Sequence, residues 1–171
     1  MRYLTLVRHA KATPAAPGAS DFERTLNDRG RDQCRQLREW ATDPEALGRF
    51  GPTIALVSAA ARTRETFARA FDETSFVSAR EFSELIYNGR RDVSAEDVLI
   101  DLAAIDPVVT SLLVVGHNPT MAELMFTLVE KLPRSLREGH YPLGGAYVLA
   151  LPEDRPVGLA RYELVAQYVP D

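Results

Sequence analysis

The sequence predicts an α/β fold, a three-layer α/β/α sandwich around a mostly parallel central sheet. Short apolar and β-branched runs alternate along the chain with segments whose apolar residues recur at helical spacing. The runs are too apolar for strands with one wet face, so helices should cover both faces of the sheet. A length of 171 residues is typical of one domain, and we expect residues 1–171 to form it.

The first predicted strand, at residues 3–7, is followed by a loop rich in Pro, Ala and Gly at 12–20. A helix is then expected to begin at Asn27 or Asp28, either of which can serve as its N-cap. Cys34 falls on the apolar face of this helix, where we expect it to be a small buried residue.

The second predicted strand spans residues 53–57, and a helix that carries Arg62 follows it. A third strand is predicted at 76–79, and irregular structure at 82–89.

The C-terminal half contains two more helices. Ser94 resembles an N-cap followed by acidic residues, and its helix is expected to reach about Ile105. Asn118 as N-cap and Pro119 at the first helical position predict another helix that runs to about Lys131. The remaining strands are predicted at 111–115, 146–151 and 162–169.

Composition excludes several classes of protein. Apolar residues make up 46% and charged residues 26%, as in soluble globular proteins, and no apolar run approaches the ~20 residues of a membrane span. The net charge of -4 disfavours a nucleic-acid partner. A single cysteine, Cys34, cannot form an internal disulfide, and residues 3–7 are too short for a signal peptide. We therefore expect a cytoplasmic protein with no membrane partner, and a monomer, since nothing resembles a coiled coil.

Polar residues follow the predicted strands directly. Arg8 and His9 come after the first strand, Ser58 after the second with Arg62 four residues on, and His117 after the fourth. Ligands of open α/β sheets bind beyond the carboxyl ends of the strands. Two arginines, two histidines and two helix N-termini should therefore meet at one rim.

This combination favours chemistry on a phosphoryl group. Arginines bind its oxygens bidentately, and positive neighbours keep a histidine neutral and hence nucleophilic. Taken alone, either histidine would more simply be a structural residue, and the hypothesis depends on the coincidence of all four. The third histidine, His140, lies in a turn-like segment and is expected at the surface.

Other phosphoryl-transfer classes do not fit. A cysteine phosphatase needs Arg six residues after its cysteine, where this chain has Trp40 after Cys34. P-loop, G-x-G-x-x-G and G-x-S-x-G motifs are absent from the sequence. His9 and His117 have no clustered carboxylates nearby in sequence, so we expect neither a metal nor another cofactor.

Four segments resemble the histidine phosphatase (phosphoglycerate-mutase-like) superfamily. Residues 6–10 (LVRHA) resemble its R-H-G signature, 58–66 (SAAARTRET) its S-P-x-x-R-A-x-x-T segment, and 114–119 (VVGHNP) its second-histidine motif. Residues 21–30 (DFERTLNDRG) look like the D-x-x-R-P-L-x-x-R-G stretch of the short SixA-type branch. The chain departs from the family at Ala10, where Gly is usual, and at Ala59, where Pro is usual.

The resemblance implies a catalytic cycle for the rim residues. His9 would be the nucleophile that becomes phosphorylated, Arg8 and Arg62 would bind the phosphoryl oxygens, and His117 would complete the pocket before water hydrolyses phosphohistidine. Many members place a general acid after the second strand, and Glu84 is the candidate by position. The alternatives are Glu81, which is close by in the sequence, a solvated role for Glu84, and a SixA-type branch that lacks a conventional acid.

Length bears on the substrate. Larger members insert a cap over the pocket, but here residues 69–90 are too few for one. An open pocket favours a phosphorylated protein side chain, so we expect a SixA-like phosphohistidine phosphatase in signalling. The alternatives are a small-molecule phosphomonoesterase or mutase of the same superfamily, and a non-catalytic phosphate-binding module.

Overall fold

A computed structural model describes residues 2–51, 53–87, 93–106, 108–136, 140–151 and 161–170. Within these residues the chain forms strands and helices in the predicted alternating order. The strands are β1 (Arg2–Arg8), β2 (Thr53–Ser58), β3 (Val77–Ser83), β4 (Ser111–Gly116), β5 (Ala146–Leu151) and β6 (Glu163–Tyr168). The α-helices are α1 (Asp28–Thr42), α2 (Ala61–Ala70), α3 (Ala95–Ala103) and α4 (Thr120–Leu128), and a short 3₁₀ helix (Asp21–Glu23) precedes α1.

The strands form one sheet in the order β3-β2-β4-β1-β5-β6. The four strands β3, β2, β4 and β1 are parallel to one another, whereas β5 is antiparallel to β1 and β6 is antiparallel to β5. The predicted mostly parallel sheet is therefore confirmed. The carboxyl ends of β1, β2 and β4 lie side by side, and this rim carries the residues singled out in the sequence.

Both faces of the sheet are covered, as the apolar strands predict. Leu4 and Leu6 of β1 pack on one face against α3 and α4, and Val7 packs on the other face against α1 and α2. The same alternation occurs in β4, where Val114 belongs to the first core and Val115 to the second. Successive side chains of a strand point to opposite faces, so a fully apolar run serves two cores.

Capping residues fix the start of two helices. The Asn27 side chain accepts from the backbone N–H of Gly30 at 2.9 Å, so Asn27 is the N-cap of α1. Ser94 and Asp97 form a reciprocal capping box at α3, as its sequence predicts. Cys34 is fully buried on α1, and burial raises the pKa of its thiol to about 12.

Two local predictions are wrong. The strand β3 extends to Ser83, because Phe82 and Ser83 pair with the end of β2, and backbone pairing does not require apolar side chains. The predicted irregular segment therefore begins after Ser83, and residues 88 and 89 lie outside the described residues. At α4 the N-cap is Pro119, which makes no side-chain cap, and Asn118 precedes it.

No helix in the described ranges is long and apolar enough to cross a lipid bilayer.

Candidate active site

The rim residues lie where the sheet brings its parallel strands together. Arg8 is the last residue of β1 and pairs with Gly116 at the end of β4. The next residues, His9 and His117, consequently lie side by side with their ring centroids 5.2 Å apart. The backbone N–H of His9 donates to the backbone carbonyl of Gly116 at 3.1 Å. Arg62 reaches the same place from the first turn of α2.

The hydrogen bonds of His9 define its tautomer. Its Nδ1 lies 2.7 Å from the carbonyl oxygen of Ala10, and since a carbonyl only accepts, Nδ1 carries the proton. Nε2 therefore keeps its lone pair, and the Nε–H of Arg62 donates to it at 3.3 Å. Burial lowers the pKa of His9 to about 3; the Ala10 hydrogen bond opposes this, while the positive charges of Arg62 and Arg8 add to it. His9 is thus a neutral imidazole at pH 7.

Arg62 connects His9 to a residue that lies outside the sheet. Its side chain is buried, and while Nε faces His9, Nη1 donates to the backbone carbonyl of Asp21 at 2.7 Å. Nη2 donates to Oδ2 of the same Asp21 at 3.0 Å. The guanidinium also lies over the ring of Tyr87, with Cζ 5.7 Å from its centroid.

Asp21 accepts from three side chains. In addition to Arg62, the Nη1 of Arg24 donates to its Oδ1 at 2.7 Å, and the hydroxyl of Tyr87 donates to its Oδ2 at 2.9 Å. Burial alone would raise the pKa of Asp21, but the bonds from Arg24, Tyr87 and Arg62 outweigh it and lower that pKa to about 2. Asp21 is a carboxylate throughout the neutral range.

Arg8 occupies a half-buried position beside His9. Its Nη1 donates to the backbone carbonyl of Tyr141, and its buried Nε has no hydrogen-bond partner among the described residues. Burial lowers the pKa of Arg8, although a guanidinium stays charged at neutral pH. An unpartnered guanidinium N–H next to a neutral imidazole is suited to bind an anion.

His117 is 3% exposed and is bonded at one nitrogen only. Its Nε2 lies 2.8 Å from Oγ of Ser58, whereas its Nδ1 is buried and has no partner among the described residues. Burial, followed by the influence of His9 and Arg62, lowers the pKa of His117 to about 2, so its ring is also neutral. With the proton on Nδ1, this ring can donate one hydrogen bond to a bound oxyanion.

The structure does not join the predicted general acid to this cluster. Glu84 is exposed in the turn after β3, and its carboxylate takes part in no hydrogen bond or ion pair among the described residues. Glu81 is likewise exposed, on β3. The role of Glu84 stays a prediction. His140 is exposed and outside the helices and strands, as predicted.

Three residues that contact the predicted site residues were not predicted from the sequence. Asp21 and Thr66 fall within the quoted motifs, but no role was derived for either; Thr66 Oγ1 accepts from the backbone N–H of Ala10 at 3.0 Å and so fixes the turn behind His9. Tyr87 gave no signal in the sequence, yet its ring meets that of His117 edge-on at 5.6 Å. The spacing of Asp21 and Arg24, three residues apart, is the one local clue to their ion pair.

Together these residues bring several hydrogen-bond donors close to an unprotonated ring nitrogen. Arg8, Arg62 and the Nδ1 of His117 supply donors, and Nε2 of His9 supplies a lone pair. Such a set can bind a phosphoryl group and attack its phosphorus, because the donors neutralise charge on the oxygens while the imidazole remains a nucleophile.

Solved structures include close neighbours of this fold, although no protein-family model and no curated protein matches the chain. A protein of Agrobacterium tumefaciens, assigned as the phosphohistidine phosphatase SixA, is 31% identical with a TM-score of 0.79, and 99% of each chain is covered. A protein histidine phosphatase SixA complexed with tungstate is 22% identical with a TM-score of 0.76, covering 98% of this chain and 96% of the other.

A phosphatase with a different assigned substrate shares the fold. The Escherichia coli protein assigned as an alpha-ribazole-5'-P phosphatase is 13% identical, with a TM-score of 0.68 over 97% of this chain and 96% of its own. The similarity to the Agrobacterium protein over the full length shows the family. The chain belongs to the histidine phosphatase superfamily, in its SixA-type branch, and is a phosphatase.

Proposed function

We propose that this phosphatase removes the phosphoryl group from a phosphohistidine-bearing protein, through a phosphohistidine intermediate on His9 and without a metal ion. The proposal rests mainly on the protonation state of the His9 ring. Its Nε2 is unprotonated, because Nδ1 is bonded to the Ala10 carbonyl, and a guanidinium lies 3.3 Å away.

In the first step Nε2 of His9 attacks phosphorus as the P–N bond of the substrate breaks. The electron pair of that bond goes to the substrate nitrogen, and a substrate ring protonated at its other nitrogen leaves as neutral imidazole. Arg8, Arg62 and His117 stabilise the charge on the three transferring oxygens.

In the second step water attacks phosphorus of phosphorylated His9. The P–Nε2 bond breaks, its electron pair returns to Nε2, and the proton of water passes to phosphate or solvent. The products are inorganic phosphate and the original neutral His9. The arginines balance the phosphoryl charge, which is why the proposal includes no metal ion.

Two observations support a protein substrate. The SixA proteins at 31% and 22% identity are named for phosphohistidine or protein histidine phosphatase activity. In addition, the described part of the segment between α2 and α3 contains only β3 and turns. A pocket without a cap can receive a side chain that projects from another protein. A cytoplasmic location also belongs to this proposal, since a single cysteine cannot form the internal disulfides common in secreted proteins.

A substrate panel tests the proposal. Purified protein is assayed with a phosphohistidine-bearing protein, p-nitrophenyl phosphate and small sugar phosphates, with and without a chelator. We expect the fastest turnover on the phosphoprotein, unchanged by chelator. Turnover of small esters alone would contradict the protein substrate and favour the small-molecule alternative, and loss with chelator would contradict metal independence.

The nucleophile is tested with His9→Ala, and exposed His140→Ala is the matched control. We expect His9→Ala to be inactive and His140→Ala to match the wild type. Acid-labile phosphate trapped on the wild type, and absent from His9→Ala, identifies the intermediate. Any phosphatase turnover by His9→Ala above the background rate would refute the mechanism.

A further inference from the structure

The Arg62 guanidinium presents two edges, and each has a different partner. Nη1 and Nη2 form its outer edge and both donate to Asp21, one to the backbone carbonyl and one to the carboxylate. Nε lies on the other edge, 3.3 Å from Nε2 of His9. Because the guanidinium is planar and rigid, fixing the outer edge also fixes the direction of the inner one.

Asp21 is itself held in place. Its Oδ1 accepts from Nη1 of Arg24 at 2.7 Å, and Nε of Arg24 donates to the Thr13 carbonyl at 2.8 Å. On the other side the Tyr87 hydroxyl donates to Oδ2 at 2.9 Å. A connected series of bonds therefore runs from the loop at Thr13 through Asp21 to the guanidinium beside His9.

We propose that Asp21 is a positioning residue, which holds the outer edge of Arg62 so that the inner edge faces the phosphoryl group transferred to His9. The proposal rests on the proposed function in placing that group at His9. It gives a role to the D-x-x-R stretch, in which the aspartate orients the phosphate-binding arginine and Arg24 anchors the aspartate.

The environment distinguishes this ion pair from an ordinary surface one. The Arg62 side chain is 7% exposed and that of Asp21 is 45% exposed. The arginine is therefore a buried cation, and within the described part of the chain both hydrogen bonds of its outer edge go to Asp21. Exposed pairs contribute little, but removing the partner of a buried charge leaves it uncompensated. Asp21 is also ionised at neutral pH. A carboxylate in this state can orient a cation but cannot donate a proton.

The first test compares Asp21→Asn and Asp21→Glu with Glu23→Gln. Glu23 is an exposed acid of the same 3₁₀ helix, so its variant removes the same charge without touching Arg62. The readouts are kcat and KM on the phosphohistidine protein and the inhibition constant of tungstate, a phosphoryl mimic. We expect Asp21→Asn to lose about 10- to 100-fold in kcat/KM, as for other buried charge-assisted bonds, and to bind tungstate more weakly.

Asp21→Glu should recover part of the loss because it keeps the carboxylate, and Glu23→Gln should match the wild type. Tungstate binding equal in Asp21→Asn and Glu23→Gln would overturn the proposal. Should Asp21→Asn fail to fold, as judged by thermal unfolding, Asp21→Glu gives the same test, with a smaller loss expected.

A double-mutant cycle with Arg62→Lys then asks whether Asp21 acts through Arg62. A lysine has no second edge to orient, so adding Asp21→Asn to Arg62→Lys should cause less than about a twofold further loss in tungstate affinity. The proposal would be contradicted if Asp21→Asn weakened tungstate binding by the same factor in the Arg62→Lys variant as in the wild-type background. Because tungstate binding requires no turnover, a wild type that binds tungstate but leaves phosphohistidine intact would refute the proposed substrate and not the role of Asp21.

Discussion

Oγ of Ser58 lies 2.8 Å from Nε2 of His117, although the two residues are 59 positions apart in the chain. Ser58 ends β2 and His117 follows β4, so the parallel pairing of these strands creates the contact. The other ring nitrogen, Nδ1, is buried without a partner among the described residues. If Ser58 donates its hydroxyl proton to Nε2, Nδ1 must carry the ring proton and can donate it to a bound phosphoryl oxygen.

Replacing Ser58 by Ala should therefore change the tautomer of His117. We expect kcat/KM to fall by about 5- to 10-fold, the effect of one hydrogen bond between neutral groups. The ring nitrogen signals of His117 in NMR spectra should shift from one tautomer towards a mixture. Ser83→Ala is the matched control, because Ser83 pairs with Ser58 across the strands but its hydroxyl accepts from the Leu85 N–H. Unchanged nitrogen signals in Ser58→Ala would refute this role.

The two buried histidines should make stability depend on pH. In the folded protein the pKa of His9 is about 3 and that of His117 about 2, against 6.5 for an exposed histidine, so the unfolded chain binds more protons between these limits. Stability is then complete above pH 6.5 and falls as the pH is lowered towards 3. The loss between pH 7 and pH 5 should be about 2 kcal/mol for each histidine.

Urea unfolding at pH 7 and pH 5 measures this effect. His9→Asn should lose about 2 kcal/mol less than the wild type over that interval, because one of the two groups has been removed. The exposed His140→Ala should follow the wild type. Equal losses in His9→Asn and the wild type would show that His9 already titrates normally in the folded state.

The fold and the juxtaposition of four candidate site residues could be predicted because their signals are local. Arg8 ends β1, while His9 and His117 directly follow β1 and β4; both strands are apolar enough to be recognised, and a parallel sheet brings strand ends together. The capping pattern at Ser94 lies within four residues, and it too was predicted correctly.

What could not be predicted depends on contacts between distant loops. Asp21 reaches Arg62 across 41 positions and Tyr87 across 66, and neither pairing has a periodic pattern. The misplaced cap at Asn118 has a local cause: its side-chain oxygen accepts no hydrogen bond among the described residues, and the N-cap is the next residue, Pro119. Backbone geometry, with Met121 N–H donating to the His117 carbonyl, decides where the helix begins.

Glu84→Gln tests the predicted general acid with two substrates. An acid that protonates the leaving group matters for an alkyl phosphate ester, whose leaving oxygen is strongly basic, and matters little for phosphohistidine. We expect Glu84→Gln to lower ester hydrolysis at least about 10-fold and phosphohistidine hydrolysis less than about 2-fold. Glu81→Gln, a nearby exposed acid, should affect neither reaction. Equal rates of Glu84→Gln and wild type on both substrates would remove Glu84 from the mechanism.

Gly30→Ala should destabilise the protein although alanine is the better helix former. A Cβ at Gly30 would lie 2.1 Å from the carbonyl oxygen of Lys11, and the same carbonyl accepts from the Asn27 N–H. Helix propensity would favour alanine by about 1 kcal/mol, but forcing the backbone of Lys11 away costs more. An overpacking cost of up to about 3 kcal/mol, reduced by about 1 kcal/mol of helix propensity, leaves an expected net loss of about 1–2 kcal/mol in the free energy of unfolding, measured in urea.

The same substitution should also reduce activity, because Lys11 is two residues from His9 and its displacement would move the turn that bonds Nδ1. Gly18→Ala is the control. A Cβ there meets no atom within 4 Å, but its φ of +76° strains any other residue by about 1 kcal/mol. Both variants should therefore be less stable, and only Gly30→Ala should lower kcat/KM of the folded enzyme. Full activity in folded Gly30→Ala would show that the turn after His9 moves independently of α1.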